Sequence, residues 1–184
     1  YGQTKLQIEM LLVWYSRLKN MRYASLRYFN AAGYDPEGEI RGLEREPNNL
    51  LPIVLEAIVG KRRGVEVFGN DYETEDGSCI RDYIHVTDLA DAHIRALKYL
   101  EKEDRDLLVN LGTSKGLSVF QILETARRVS GVEFPVTVGP RRKGDPAVVL
   151  SSAEKAEKLL GWDPRFSSAE TLLETMLVAY RDRS

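Results

Sequence analysis

The apolar positions of this chain change period several times along its length, and each change marks a predicted element. Over residues 1–20, Leu6, Ile8, Met10, Leu11, Leu12 and Trp14 form a helical stripe that Lys19 and Asn20 close. The next stretch, YASLRYFN, alternates and is aromatic, which predicts a strand. From Ala31 to Pro47 the chain turns polar, with three Gly and two Pro, and reads as a long loop. Asn48 and Asn49 can cap a helix over LLPIVLEAIVG that stops at Gly60. VEVFG predicts a short strand, GNDYETEDGSCIRD a polar loop and YIHV a further strand, after which Asp88 opens the helix LADAHIRALKYLEK. LLVNLG predicts a strand. Ser118 then caps the helix VFQILETARRVS, which Gly131 ends. PVTVG is a strand, RRKGDPA a loop, and AEKAEKLLG and AETLLETMLVAYRD are the last two helices. Strands alternating with helices predict an α/β fold.

Composition narrows the class. Hydrophobic residues make up 43% of the 184, enough for a real core, and the length suits one domain or a large part of one. With 26 Lys plus Arg against 28 Asp plus Glu, the net charge is −2, and no basic excess speaks for a nucleic-acid partner. The single cysteine, Cys79, excludes an intramolecular disulfide and a Cys-based zinc site, and reads as an unpaired thiol in a reduced compartment. No apolar run approaches the roughly 18 residues of a membrane span, and no signal peptide is seen, so the expectation is a cytoplasmic protein without a membrane partner. The chain starts at Tyr1 with a helical pattern already running, which raises the expectation of a C-terminal part of a longer protein. Gly112 and Gly116 in LGTSKG do not form G-x-G-x-x-G, and no ribose-reading acid follows at the required spacing. Any dinucleotide site is therefore expected to lie largely outside these residues.

Candidate chemistry begins with Y-x-x-x-K, which occurs twice, as Tyr1–Lys5 and Tyr15–Lys19. On a helix, residues four apart share a face. An ammonium beside a phenol favours the phenolate and lowers its pKa toward working pH, which suits a general acid or base. Spacing alone does not separate the two copies from each other, or from a surface Tyr beside a Lys. Asn48-Asn49-Leu50 opens a helix whose N-terminal amides and dipole suit an anion; an ordinary cap fits the same residues. His85 and His93 have no partners at metal-ligand spacing, and Ser118 fits a cap better than a nucleophile.

Taken in order, YGQTK, LRYFNAAG, NNLLP, VFGNDYETEDGSCIRDYIHVTDLADAH, NLGTSKGLSV and RRKGDPA resemble the UDP-glucose 4-epimerase family of the extended short-chain dehydrogenase/reductase superfamily. The likeness runs through nearly the whole chain, and DYETEDGSCIRDYIHVTDLADAH carries it most specifically. It implies a fold made of the C-terminal part of a Rossmann-like NAD-binding domain plus a smaller α/β substrate domain. Residues 1–35 would belong to the first and 36–184 mainly to the second, with about 81–100 returning to the first. In the family the catalytic helix precedes the LRYFN strand by a full helix length, which selects Tyr1 over Tyr15. By the same resemblance Tyr1 is the acid/base at the sugar 4-hydroxyl, and Lys5 binds the nicotinamide ribose and tunes Tyr1. Tyr28 and Phe29 lie near the nicotinamide, and Asn30 contacts the UDP-sugar. Asn49 and the Leu50 amide touch the diphosphate, Val67 and Phe68 hold the uracil, Arg81 and Arg142 clamp the diphosphate, and Asp145 accepts from the ribose hydroxyls. Guanidinium groups match phosphate oxygens in bidentate geometry, which suits Arg81 and Arg142 to that role. Arg141 and Lys143 are left as surface charge.

The implied reaction interconverts UDP-glucose and UDP-galactose with tightly bound NAD, in galactose metabolism, and the implied assembly is a homodimer of the full-length protein. The family's upstream Ser or Thr, which hydrogen-bonds the 4-hydroxyl, has no counterpart here; the glycine loop and early strands of the parallel sheet are missing too, so these residues alone are expected to be inactive and to leave a sheet edge and apolar faces uncovered. Leu11, Leu12 and Trp14 fit either a dimer contact or packing on the remaining sheet. Val149, four residues past Asp145, stands where sugar-restricted relatives carry Tyr, which implies room for UDP-N-acetylhexosamines. Two other readings stay open: another nucleotide-sugar epimerase, dehydratase or decarboxylase of the superfamily, and a non-catalytic UDP-sugar-binding module.

Overall fold

The computed structural model describes residues 2–40 and 42–181; Tyr1, with its catalytic assignment, lies outside the described residues. The chain runs through α1 (Gly2–Lys19), β1 (Ala24–Arg27), β2 (Asn30–Ala32), α2 (Leu50–Ile58), β3 (Val65–Phe68), β4 (Ile80–Arg81), β5 (Tyr83–His85) and α3 (Val86–Glu103). It continues through β6 (Leu107–Asn110), β7 (Leu117–Ser118), α4 (Val119–Ser130), β8 (Val136–Gly139), β9 (Val148–Val149), α5 (Glu154–Leu160) and α6 (Ala169–Arg181). Pairing is mostly parallel, β1 with β6, β2 with β5, β3 with β8 and β4 with β9, while β7 runs antiparallel to β4. Parallel pairs with helical crossovers make the fold α/β, as expected.

Two apolar cores hold these elements. In the larger, α2, α4 and α6 close over β3 through Leu51, Val54, Leu55, Val67, Ile122, Leu123, Leu172, Leu173 and Met176. In the other, Ile84, Ala92, Ala96, Leu107, Val109 and Ala156 surround Trp162, drawing on β6 and α5 as well as on residues 81–100. Trp162 donates its indole N–H to the Asp88 carbonyl at 2.9 Å, so its burial leaves no orphaned donor.

Four local readings are corrected. The YASLRYFN strand is broken at Tyr28–Phe29, so β1 pairs with β6 while β2 pairs with β5. Ala31 and Ala32, read as loop, belong to β2. Ile80–Arg81, also read as loop, forms the middle strand of β7–β4–β9. Finally, α3 begins at Val86 and is capped by His85, whose side chain accepts from the Thr87 N–H. Asp88 instead sits buried in the first turn, with its carboxylate accepting from the N–H groups of Arg165 and Phe166 and from the Ser167 hydroxyl. The caps of α4 hold as read: Ser118 and Gln121 form a capping box, and Gly131 ends the helix with φ +68°.

Candidate active site

The site is framed by β4. Its antiparallel partner β7 leads into α4, and its parallel partner β9 sets Val149 opposite Arg81. Just beyond β4, Asp82 is fully buried, and its carboxylate accepts from the Thr113 N–H at 2.9 Å, the Thr113 hydroxyl at 2.8 Å and the Ser151 N–H at 3.2 Å. Its carbonyl accepts from the Asn30 side-chain amide at 2.8 Å. Asp82 thus ties β2, the turn after β6 and the start of the 151–153 segment to one strand. Gly112 is required there, because a Cβ would lie 2.5 Å from both the Asp82 carboxylate and the Ser151 side chain.

One cavity gathers most of the residues singled out in the sequence. It is lined by Asn30, Asn49 and Leu50, Val67 and Phe68, Cys79, Arg81, Tyr83, Arg142 and Asp145. Arg81 forms an ion pair with Asp145 and donates to the Ile80 carbonyl at 2.8 Å, so its guanidinium is held before any ligand arrives. Arg142 lies over the Phe68 ring, 3.8 Å from its centroid. Asn49 is the N-cap residue of α2, with extended backbone, but its side chain makes no capping bond. The first amides of that helix and the positive end of its dipole therefore face the same space as two arginines. The combination is an anion-binding concavity with one internal carboxylate. Burial pushes the Cys79 thiol up and nearby Arg81 offsets it in part, so the thiol in this cavity stays protonated.

A second cavity adjoins the first. Phe29, the Asn30–Tyr34 segment, Asn49, Leu50, Tyr83 and Met176 line it, so Asn30, Asn49, Leu50 and Tyr83 face both. Gly33 makes the turn under this cavity possible: its φ is +82°, and a Cβ would lie 2.2 Å from the His85 ring. Burial holds the His85 pKa below its ordinary value, against the pull of Asp88. Nδ1 accepts from Thr87 at 3.1 Å and Nε2 lies 3.1 Å from the Thr175 hydroxyl, so His85 packs and caps as a structural residue.

Three singled-out residues stand apart. Lys5 lies on exposed α1, Tyr28 is exposed at the strand break and lines neither cavity, and Val149 is half-buried in β9 outside both linings. The sequence reading missed two contributors. Asp82 was legible only as part of a motif, and Arg141, taken as surface charge, clasps the loop that carries Arg142. Its guanidinium lies 4.3 Å from the Tyr72 ring centroid and bonds the Asp71 carboxylate at 2.7 Å, which lowers the Asp71 pKa. A Cβ on Gly69 would lie 2.7 Å from Arg141, so glycine opens room for that clasp.

The chain is similar to several known proteins. A UDP-glucose 4-epimerase from Halalkalibacterium halodurans is 49% identical over 174 residues, covering 95% of this chain and 52% of that protein. A crystal structure of UDP-glucose 4-epimerase superposes with a TM-score of 0.96 at 45% identity, covering 100% of this chain and 56% of the other. The Bifidobacterium longum UDP-glucose 4-epimerase, solved in complex with NAD+ and UDP, gives a TM-score of 0.88 at 34% identity, covering 100% and 55%. The chain spans about half the length of the curated relatives it matches. The model of the NAD dependent epimerase/dehydratase family matches residues 1–112, more than half of the sequence, and the chain belongs to that family.

Proposed function

We propose that this chain is the half of an NAD-dependent UDP-glucose 4-epimerase that holds the UDP-sugar and the catalytic helix. The observation that carries the reading is the convergence of Arg81, Arg142, Asp145 and the N-terminus of α2 on one cavity. Two guanidinium groups and free helix amides suit a diphosphate. Asp145 meets Arg81 through Oδ1, and its second oxygen serves the ribose hydroxyls of uridine. With Arg142 over the Phe68 ring, Val67 and Phe68 receive uracil through their backbone groups. Affinity concentrated in the UDP leaves the sugar free to turn and present either face.

Lys5 and Tyr28, with Tyr1, serve the nicotinamide end of NAD. The exposed aromatic pair at Tyr28–Phe29 beside the second cavity fits a planar ring, and the sequence carries no glycine loop for the pyrophosphate. NAD, when bound, takes up and returns the hydride at C4, so the sugar passes through a 4-keto form. Tyr1 takes the proton of the 4-hydroxyl and gives it back on the opposite face; Lys5, one turn along, keeps the phenolate accessible. The reaction places the enzyme in galactose metabolism in the cytoplasm. The apolar face of α1 serves the NAD-binding half or a second subunit of a homodimer. Val149, in place of a bulky Tyr, admits a 2-acetamido group, and Val149→Tyr lowers turnover of UDP-N-acetylglucosamine while sparing UDP-glucose.

The test is conversion of UDP-galactose to UDP-glucose by a chain that also carries the NAD-binding half of its relatives. Activity is expected there, is lost in Tyr1→Phe, and is not detected for residues 1–184 alone. Full activity in Tyr1→Phe contradicts the proposal.

A further inference from the structure

Arg141 lies outside the cavity that Arg142 lines, and neither the motif reading nor the proposed mechanism gives it a role. The two neighbours rest on different rings. Arg142 stands 3.8 Å from the centroid of Phe68, and Arg141 stands 4.3 Å from that of Tyr72. Arg141 also donates from Nε to the Asp71 carboxylate at 2.7 Å and from Nη2 to the Asp71 carbonyl. One guanidinium therefore grips the 69–72 turn at three points. That turn is a firm base: Tyr72 is buried, its N–H donates to the Gly77 carbonyl at 2.8 Å, and the Gly69 N–H donates to the Gly139 carbonyl at 2.9 Å.

The grip matters because of how the 140–147 loop is otherwise held. Its far end is tied to β4 twice, by the Ile80 N–H donating to the Ala147 carbonyl at 2.8 Å and by the Arg81–Asp145 ion pair. Both partners of that ion pair belong to the proposed ligand site, so UDP competes for it. Arg142 sits in the near half, where Gly144, with φ +80°, and a 3.2 Å bond from the Asp145 N–H to the Arg142 carbonyl turn the chain. The Arg141 clasp holds this half from outside the cavity. An exposed ion pair alone contributes little to stability. A clasp of this kind acts on binding instead, because it orders a ligand-facing arginine before the ligand arrives.

Resting on the proposed UDP-sugar site, we infer that Arg141 is a positioning residue: by clasping Asp71 and Tyr72 it holds Arg142 where the diphosphate binds. The test is calorimetric titration of UDP into the 184-residue chain. Arg141→Ala should weaken UDP affinity about fivefold, the combined effect of one cation–π contact and one exposed ion pair. Asp71→Ala removes the other side of the clasp and should weaken UDP binding as well. Charge alone predicts the opposite there, since removing a carboxylate near an anion site favours the anion. In an Arg142→Ala background, Arg141→Ala should change UDP affinity by less than twofold, because the side chain it positions is gone. Affinity within twofold of wild type in Arg141→Ala overturns the inference, and so does equal or tighter binding by Asp71→Ala. A fivefold loss that persists in the Arg142→Ala background also overturns it, because Arg141 would then act on the fold as a whole. If the wild-type chain does not bind UDP, the UDP reading of the cavity falls and Arg141 falls with it. If wild type binds UDP, Arg142→Ala weakens it and Arg141→Ala does not, the cavity reading stands and the Arg141 assignment alone fails.

Discussion

Helices α1 and α6 are both rich in apolar residues, yet they end in opposite situations. Of the 13 residues of α6, seven are buried, among them Leu172, Leu173, Met176 and Tyr180. Of the 18 residues of α1, Ser16 is the one buried, while Leu6, Ile8, Met10, Leu11, Trp14 and Leu18 are exposed. The first helix is held by polar contacts instead: Ser16 to Asp106 at 2.6 Å, and Glu9 to Ser25 at 3.0 Å and to Arg27 at 2.6 Å. Exposed ion pairs and hydrogen bonds of this kind contribute little each. An apolar period therefore announces a face that packs; it does not say that the packing partner is in the same stretch of chain. The site follows the same division. The anion cavity is built on the α2, α4 and α6 side, while Lys5 sits on α1, the helix whose apolar side chains stay exposed.

This contrast is open to attack by matched substitutions. The largest effect is expected in the buried helix: Leu172→Ala should lower stability by about 2–5 kcal/mol in chemical denaturation, as for other leucines truncated in closed cores. Asp82→Ala should follow at about 1–3 kcal/mol in all, since it leaves the Thr113 and Ser151 N–H groups without their acceptor. A pH effect comes next and belongs to the α6 side. The Thr175 hydroxyl donates to the Thr171 carbonyl, so it accepts from Nε2–H of His85 while Nδ1 takes the Thr87 N–H. The folded pKa of His85 lies below 6.5, so its contribution is complete above about pH 6.5 and is lost as pH falls toward the folded value. The melting temperature should decline across that window, and His85→Gln should flatten the decline; an unchanged slope would show that other groups cause it. The smallest effect is expected in the exposed helix, where Leu11→Ala should shift stability by no more than about 0.5 kcal/mol. A loss equal to that of Leu172→Ala would erase the distinction between the two helices.

What the sequence revealed follows from the range of each interaction. The α4 ends, Ser118 and Gly131, are local, and so were readable. The break at Tyr28–Phe29 was not, because alternation continues across it while the pairing partner changes from β6 to β5. His85 as the cap of α3 was hidden for a related reason: YIHV reads as strand to its end, and Asp88 looks like a cap while it serves the 165–167 turn. In the site, the motifs named Arg81, Arg142 and Asp145 one by one. Their organisation depends on contacts between residues far apart in sequence, Arg81 with Asp145 and Arg141 with Asp71, and no local pattern encodes those. Tyr1 and its geometry to Lys5 remain outside the described residues, so the anion cavity, and not the catalytic pair, carries the structural account.

The most direct measurement is therefore UDP binding to the 184-residue chain by titration calorimetry, in wild type and in Arg81→Ala. The account predicts saturable one-to-one binding by wild type, weakened about 10- to 100-fold in the variant, which loses a charge-assisted contact and the partner of Asp145. No saturable binding by the wild type, or equal binding by both, would contradict it.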